Sequence, residues 1–259
     1  MTEHLTNGGV YGPLTFNGPN TLILDPFAYV IATGFEHALR LRSGPWTLVI
    51  NGGVRSENGD AVFLVDPGFK STLTIGPDAD IYSQSGAGVY ATHPTNITNT
   101  GFISGGFSGI TELAGDYTIL NLKTGVIRGG VDGLDLGDYA GTHIVKNAGE
   151  ITGGVRAITG GSEVDKITNW GVLEGDIELF GGNDIFTNFK KVRDVVVSGI
   201  VTGTIRLGDG DDLFNGGNNR EVVRDGNGKD TVTFAGGEDF WLGFLNGGSD
   251  LVDTIDGGK

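Results

Sequence analysis

The apolar residues of this chain recur at a nearly constant spacing. The pattern Asn/Thr-x-Gly-x-Ile/Leu-x-Gly is clearest around Ile103, Ile127, Ile151 and Leu173, which are 24, 24 and 22 positions apart. Weaker copies centre on Ile31, Val54, Ile81 and Val201. A repeat of this length cannot bury its own hydrophobic face, so neighbouring repeats must stack into a solenoid. The series predicts about eight coils.

A second apolar series keeps step with the first. Seven residues after members of the first series stand Ala61, Ile110, Leu134 and Ile158. Two inward positions at a constant offset require at least two strands in each coil. Gly-Gly pairs separate the two positions, and glycine turns such a corner because it accepts positive φ without a Cβ clash.

Helix is not expected in these repeats. The apolar runs at residues 46–50, 117–122 and 192–197 are rich in β-branched and aromatic residues, and Gly, Asn, Asp or Pro interrupts the chain every five to eight residues. We therefore predict an all-β chain. Residues 1–20 form an N-terminal cap, residues 21–200 a parallel β-helix, and residues 201–259 acidic Gly/Asp repeats with a C-terminal cap that includes Trp241.

Composition and charge narrow the function classes. The 48 glycines among 259 residues exceed the usual share of about 7%, while the 38% of hydrophobic residues excludes a disordered linker. A formal net charge of −15 weighs against binding to nucleic acid or anionic lipid and is compatible with divalent cations. Cysteine is absent, so stacking or metal, not disulfides, must stabilise the fold.

The sequence predicts neither a signal peptide nor a membrane-spanning segment. The N-terminus lacks a basic segment followed by an apolar stretch, so we expect no secretory signal peptide. No window approaches the roughly 18 apolar residues of a membrane span, so we expect no membrane insertion. The oligomeric state is left open by all of these features.

Acidic turns dominate the chain after residue 175. Four segments rich in Gly, Asp and Asn lie at residues 180–186, 207–214, 225–232 and 246–252. Their candidate metal ligands are Asp184, Asp209, Asp211, Asp212, Asn227, Asp230 and Asp250. Calcium takes roughly six to eight oxygens, which carboxylates and turn carbonyls of adjacent coils can supply together. The alternative is that these residues, the commonest turn formers, only close the corners of the solenoid.

Two of these turns resemble the RTX, or haemolysin-type, calcium-binding nonapeptide Gly-Gly-x-Gly-x-Asp-x-U-x, in which U is a large apolar residue. Four of its five defining positions are matched by Gly208, Gly210, Asp212 and Phe214, and again by Gly226, Gly228, Asp230 and Val232. Asp212 and Asp230 are 18 positions apart, which is two nonapeptides or one coil of a β-roll. The resemblance implies bound calcium, a short RTX-like β-roll, and type I-like export without an N-terminal signal.

The upstream coils, over about residues 21–200, resemble the glycine-rich Asn-x-Gly-x-Ile-x-Gly β-helices of bacterial autotransporter and haemagglutinin-type adhesins. That resemblance implies a right-handed parallel β-helix outside the cell, attached to a surface polysaccharide or to a ligand on a host cell. We therefore predict a non-enzymatic, secreted or cell-surface module with a structural or adhesive role.

A polysaccharide-acting enzyme of the lyase or C5-epimerase type is the alternative, because parallel β-helices also host such enzymes and a fold does not determine a function. This chemistry needs acids and bases beside cations that neutralise a uronate. The candidate residues are Arg128, Asp132, Asp135, His143 and Arg156. The usual signature runs of these enzymes are absent, and solvated charges on a solenoid face would explain the same residues.

Aromatic residues accompany the acidic turns. Phe180, Phe186, Phe214 and Phe234 follow the turns at similar offsets. We expect them to form a stack inside the solenoid and not a platform for a sugar.

Overall fold

The structure is a computed structural model that describes residues 2–258 apart from residues 7, 19, 66, 67, 113 and 244–253. Throughout this part the chain forms β-strands and turns, without helix. No helix of the described residues is long and apolar enough to cross a membrane. The prediction of an all-β fold is confirmed.

The described residues form 32 strands, most of them three to five residues long. In chain order the first sixteen are β1 Thr2–Leu5, β2 Val10–Tyr11, β3 Leu14–Asn17, β4 Thr21–Leu24, β5 Tyr29–Ala32, β6 Leu39–Arg42, β7 Thr47–Ile50, β8 Gly53–Ser56, β9 Val62–Val65, β10 Ser71–Ile75, β11 Asp80–Ser83, β12 Val89–Ala91, β13 Thr95–Asn99, β14 Phe102–Gly105, β15 Ser108–Glu112 and β16 Tyr117–Asn121. The remaining sixteen are β17 Val126–Gly129, β18 Asp132–Asp135, β19 Thr142–Asn147, β20 Glu150–Thr159, β21 Val164–Asn169, β22 Val172–Glu178, β23 Ile185–Thr187, β24 Phe189–Val192, β25 Val195–Ser198, β26 Ile200–Val201, β27 Ile205–Asp209, β28 Leu213–Asn215, β29 Val222–Asn227, β30 Thr231–Thr233, β31 Phe240–Trp241 and β32 Thr254–Asp256.

These strands wind into a parallel β-solenoid of about ten turns. Face 1 is the twelve-stranded sheet β1-β4-β7-β10-β13-β16-β19-β21-β23-β28-β30-β32. Face 2 contains β2, β5, β8, β11, β14, β17, the first halves of β20 and β22, and β26. Face 3 contains β3, β6, β9, β12, β15, β18, the second halves of β20 and β22, and β27, β29 and β31.

The number of turns exceeds the eight that the sequence series predicts because both ends continue the winding. Residues 2–17, assigned above to a cap, form β1, β2 and β3, which pair with the next coil. At the other end β31 pairs with β29, and the Trp241 indole N–H donates to the buried Asp225 carboxylate at 2.6 Å. The end of the core that Trp241 adjoins is thus covered in part by a further strand.

The first apolar series forms the inward ladder of face 2. Successive register partners in it are Val54, Ile81, Ile103, Ile127, Ile151, Leu173 and Val201. The assignment of Ile31 is wrong by one residue, since Val30 pairs with Val54 and is fully buried, whereas Ile31 pairs with Arg55 and faces outward.

The second series forms the inward ladder of face 3, again with one correction. Ile110, Leu134 and Ile158 are register partners, but Val62, not Ala61, continues the ladder through Val89. Eight residues separate Val54 from Val62, against seven between Ile103 and Ile110. The corner after β8 is therefore one residue longer, and a fixed offset misplaces the partner.

Face 1 supplies a third inward ladder that the sequence patterns did not single out. Its members are Leu22, Leu48, Leu73, Ile97, Ile119, Val145, Ile167, Phe186, Phe214 and Val232. From β27 onward each coil has only two strands, and register partners in consecutive coils are 18 residues apart, as in Ile205 and Val223. Here phenylalanines replace aliphatic residues in the ladder.

Three of the four phenylalanines stack inside these coils as expected. The ring centroids of Phe186 and Phe214 are 5.9 Å apart, and those of Phe214 and Phe234 are 5.6 Å apart. The expectation for Phe180 is wrong, because its side chain is 50% exposed and its φ of 65° turns the chain outward at that residue.

An asparagine ladder lies at the corner between faces 1 and 2 and explains the asparagine of the repeat. Its members are Asn99, Asn121, Asn147, Asn169 and Asn188, all fully buried. Each Nδ2 donates to the Oδ1 of the next member at 2.8 or 2.9 Å, and Asn188 Nδ2 donates to Glu221 Oε1 at 2.8 Å. The ladder satisfies amide groups that burial would otherwise leave without partners.

A single antiparallel hairpin interrupts the winding among the described residues. Strands β24 and β25 pair antiparallel and account for the long step between Leu173 and Val201. The run at residues 192–197 is therefore a hairpin turn and strand, not part of a face. Lys190 Nζ lies 4.4 Å from the centroid of the Trp170 ring, which holds the hairpin against the solenoid.

Candidate functional site

A column of polar residues runs along the inside of face 1, at the start of its strands. Tyr117, His143 and Asp165 are register partners in three successive coils. The column continues as the aspartate ladder, which consists of Asp165, Asp184, Asp212 and Asp230, each at most 2% exposed. Ionisable side chains therefore occupy an inward position in consecutive coils, where an apolar residue would be the norm.

Backbone hydrogen bonds fix the aspartates of this ladder. The backbone N–H of each aspartate donates to Oδ1 of the aspartate in the next coil, at 2.8 Å for Asp165 to Asp184, 2.7 Å for Asp184 to Asp212, and 2.8 Å for Asp212 to Asp230. The side chains thus turn inward because they bridge adjacent coils. One carboxyl oxygen of Asp184, of Asp212 and of Asp230 is used in this way.

The second carboxyl oxygen of Asp184 and of Asp212 is buried and accepts no hydrogen bond from any residue that the structure describes. Burial, together with the nearby carboxylates of Asp165 and Asp212, raises the pKa of Asp184 to about 8, although the hydrogen bond from the Asp165 backbone N–H opposes the rise. Burial likewise raises the pKa of Asp212 to about 6, with Asp211, Asp209 and Asp225 adding to the rise. A buried carboxylate needs a compensating charge or a proton, and the described residues supply neither a cation nor a hydrogen-bond donor to these oxygens.

Asp165 differs because a histidine faces it. His143 Nδ1 lies 2.8 Å from Asp165 Oδ1, and both side chains are buried. Burial raises the pKa of the Asp165 carboxyl, and the hydrogen bond from His143 opposes that rise. The His143 ring also stacks on Tyr117 with a centroid separation of 4.6 Å. Asp165 Oδ1 therefore has a partner within the protein that can carry a positive charge.

Stacked glycine turns stand next to the ladder. Gly208 and Gly226 have φ of 113° and 112°, and Gly210 and Gly228 have φ of 140° and 141°, so the turns of adjacent coils repeat one another. A Cβ on Gly228 would collide with the carbonyl oxygen of Gly210, one coil away. These positions need glycine both for positive φ and for the close approach of carbonyls along the stack.

The structure divides the seven predicted metal ligands into two groups. Asp184, Asp212 and Asp230 lie in the ladder, whereas Asp209, Asp211 and Asn227 lie on the outer side of the turns. There Asn227 Nδ2 donates to Asp209 Oδ1 at 2.6 Å, and Asp211 Oδ1 accepts from the backbone N–H of Lys229 at 2.9 Å. Asp250 lies outside the described residues.

Side chains alone do not form a metal cage. In the described part of the chain no group of three or more His, Cys, Asp or Glu residues is arranged to hold one ion. A cation at the ladder would therefore take most of its ligands from turn carbonyls, which suits calcium and not zinc. Asp184 and Asp212 would hold it with their second oxygens.

Two buried acids escaped the sequence analysis. Asp165 is the second residue of β21, and its position before Lys166 and Ile167 matches that of Asp184 before Ile185 and Phe186. Glu221 ends the asparagine ladder, where burial raises its pKa to about 7. No sequence feature marks Glu221, because its partner Asn188 lies 33 residues earlier.

Comparison with known proteins adds no relative. The chain matches no protein-family model, no curated protein and no solved structure. The likenesses to RTX repeats and to adhesin β-helices therefore rest on the residues quoted above, and the functional argument rests on the fold and the side-chain geometry.

The five candidate catalytic residues do not meet at one point. Asp132 and Arg156 are register partners on face 3, with Arg156 Nε 2.8 Å from Asp132 Oδ1. Arg128 lies on face 2 and pairs with Glu150 at 2.8 Å. His143 is inside the core on face 1, away from both.

Asp135 is the remaining candidate, and its surroundings differ from those of the paired residues. It lies at the end of β18, its carboxyl accepts from the backbone N–H of Gly137 at 3.3 Å, and burial raises its pKa. The charge of Asp132 raises the pKa of Asp135 further, and the charge of Arg156 lowers it. Its carboxyl lines a cavity of about 440 Å³ together with Asp138 and Ser162.

Proposed function

We propose that this protein is a non-enzymatic solenoid module of the cell surface or extracellular space, structural or adhesive in role, whose C-terminal coils are stabilised by calcium. The observation that carries the calcium part is the pair of buried carboxyl oxygens of Asp184 and Asp212, which have no hydrogen-bond donor. They lie in coils whose glycine turns bring carbonyls close together, and calcium is a cation that prefers oxygen ligands of both kinds.

At neutral pH a divalent cation compensates the negative charge of the ladder more completely than protons do. With its pKa at about 8, the Asp184 carboxyl holds a proton at pH 7, whereas Asp212, with a pKa of about 6, is mostly charged. One calcium ion would compensate two carboxylates and displace the remaining proton. Because no such site exists in the unfolded chain, binding would stabilise the folded coils.

The structural or adhesive part follows from the architecture. A solenoid offers long, regular faces, and its stability is a sum over stacked coils, so it suits a rod that presents surface and not a closed active site. The export and surface location come from the RTX and adhesin resemblances. Weak calcium sites, with dissociation constants of about 0.1 to 1 mM, are typical of extracellular modules.

Titration calorimetry and metal analysis of the full chain at pH 7.5 test the calcium proposal. We expect calcium to bind the wild type and the Asp78→Asn variant, in which an exposed acid away from the ladder is neutralised. Asp212→Asn should lose most of the bound calcium. Absence of calcium binding in the wild type, or equal binding in Asp212→Asn, would leave these aspartates as turn residues.

The second candidate is the polysaccharide lyase or C5-epimerase. It is favoured by one observation, the raised pKa of Asp135 beside a cavity, which suits a general acid or base. Against it, Arg128 and Arg156 are already neutralised by carboxylates, and His143 is buried elsewhere. Unsaturated ends or epimerised residues in a uronate polymer incubated with wild type, and lost with Asp135→Asn, would establish the enzyme.

A further inference from the structure

Phe180 occupies a backbone conformation that a bulky residue rarely adopts. Its φ of 65° lies in the left-handed region, where the Cβ of an L-residue is crowded. The next coil holds this conformation, because the backbone N–H of Asp209 donates to the Phe180 carbonyl at 2.7 Å. The result is an aromatic ring turned outward between the buried Leu179 and the turn glycines. Strain of this kind concentrates at functional sites.

The Phe180 ring borders two cavities. One, of about 300 Å³, is also lined by Glu178, Arg206 and Arg224. The other, of about 440 Å³, is lined by Asp135 and Ser162 among others. Phe180 and Asp209 line both cavities, so the two cavities adjoin, and we call them together the Phe180 groove.

The groove runs along the axis of the solenoid. Its outward column on face 3 consists of register partners in five successive coils, Asp135, Thr159, Glu178, Arg206 and Arg224. At about 4.8 Å per coil, this column is roughly 19 Å long. The groove thus suits an extended ligand lying parallel to the axis.

In the cavity of about 300 Å³ both acids have a polar partner, whereas one of the two arginines has none among the described residues. Glu178 pairs with Arg156 at 3.2 Å, and Asp176 pairs with Arg206 at 2.7 Å. The Asp209 carboxylate accepts from Asn227 at 2.6 Å. Arg224 is exposed, and within the described residues it donates no hydrogen bond and forms no ion pair.

Arg224 also stands directly beside a like charge. It is the register partner of Arg206 in the adjacent coil. The Asp176 carboxylate pairs with Arg206 and only senses the charge of Arg224. Like charges directly opposite each other on neighbouring strands are unfavourable, and an anion from outside would relieve this repulsion.

We propose that the Phe180 groove binds an acidic saccharide. The apolar face of a sugar ring would pack on the Phe180 ring, and the carboxylate of a uronic acid would accept hydrogen bonds from Arg224 beside Arg206. A planar guanidinium donates to a carboxylate through two parallel N–H groups, and aromatic rings with a few polar groups are typical of small-ligand sites. A neutral sugar would leave Arg224 uncompensated, and a simple anion would not use Phe180.

This inference rests on the proposed role as a non-enzymatic binding module and does not involve the aspartate ladder. Titration calorimetry with the full chain tests it, using a galacturonic acid tetrasaccharide, a neutral tetrasaccharide and inorganic phosphate as probes. We expect the uronate to bind and the other two probes to bind at least tenfold more weakly.

Three variants locate the binding. Arg224→Gln and Phe180→Gly should each weaken uronate binding at least tenfold. Lys191→Gln, which removes one exposed positive charge from the hairpin, should leave it unchanged. Phe180→Gly also removes the strained φ, so the melting temperature of this variant should not fall. If it falls, Arg224→Gln, a substitution at an exposed residue, still tests the binding.

Equal affinity for the neutral probe or for phosphate would overturn the proposal, as would unchanged uronate binding in Arg224→Gln. Binding accompanied by cleavage would retain the groove but refute the non-enzymatic role. Uronate binding without any calcium binding would retain the groove and refute the calcium proposal, so the failures are distinguishable.

Discussion

Without calcium, the aspartate ladder should make the protein less stable as the pH rises. Burial raises the pKa of Asp184 from 3.8 to about 8 and that of Asp212 to about 6. A carboxyl whose pKa is higher in the folded chain binds its proton more tightly there than in the unfolded chain. Its stabilising contribution is therefore complete below the unfolded pKa, near 4, and is lost as the pH rises through the folded pKa.

The magnitude follows from these shifts. At about 1.4 kcal/mol per pKa unit, the rise at Asp184 corresponds to about 6 kcal/mol between pH 4 and pH 8, and the rise at Asp212 to about 3 kcal/mol. Asp184→Asn removes the titrating group and keeps an Oδ1 that can accept from the Asp165 backbone N–H. About half of the slope should disappear in this variant, because Asp212 and Glu221, whose pKa values burial raises to about 6 and about 7, provide the remainder with the same sign.

The assay is equilibrium unfolding by urea at several pH values between 4.5 and 8, in calcium-free buffer with chelator. We expect the free energy of unfolding of the wild type to fall by several kcal/mol over this range, and that of Asp184→Asn to fall by about half as much. Asp78→Asn, at an exposed acid, should follow the wild type. A wild-type free energy that is constant or rises with pH, or an identical slope in Asp184→Asn, would refute the reasoning.

Two further predictions concern the core. Ile127→Asp should lower the free energy of unfolding by more than about 3 kcal/mol, because it places an unpaired charge in a dry ladder. Thermal melting followed by circular dichroism measures this effect, with Thr124→Asp at an exposed position as the control. Wild-type stability in Ile127→Asp would mean that Ile127 does not face inward. Asn147→Ala should lower the free energy of unfolding by about 2 to 4 kcal/mol, because Asn121 and Asn169 each lose a buried hydrogen-bond partner. Unfolding by urea measures this change. A change below about 0.5 kcal/mol would show that the asparagine ladder contributes little to stability.

The repeat register was predictable because a stacked solenoid places the same residue type in the same environment in every coil. Ile103, Ile127 and Ile151 face identical neighbours, so one spacing describes them all. Ile31 and Ala61 were assigned one residue away from the true partners because corner length varies between coils. A period averaged over the chain does not record a single extra residue in a turn.

The site was less accessible to sequence reasoning. The 18-residue spacing of Asp212 and Asp230 correctly placed them in adjacent coils. Spacing alone did not show that these carboxyls are buried, or that Asp165 and His143 extend the column. Phe180 was misassigned because its offset from the turn matches that of the stacked phenylalanines, while its left-handed φ, set by a hydrogen bond from the next coil, turns it outward.

The most direct test of the central claim, that calcium bound at the aspartate ladder stabilises the C-terminal coils, is amide hydrogen exchange of the full chain at pH 7.5 in calcium and in chelator. Calcium should slow exchange in residues 184–187 and 205–233 and leave residues 97–158 unchanged, because the ladder oxygens proposed to hold the ion lie at Asp184 and Asp212. The same exchange rates in calcium and in chelator across residues 205–233 would contradict the account.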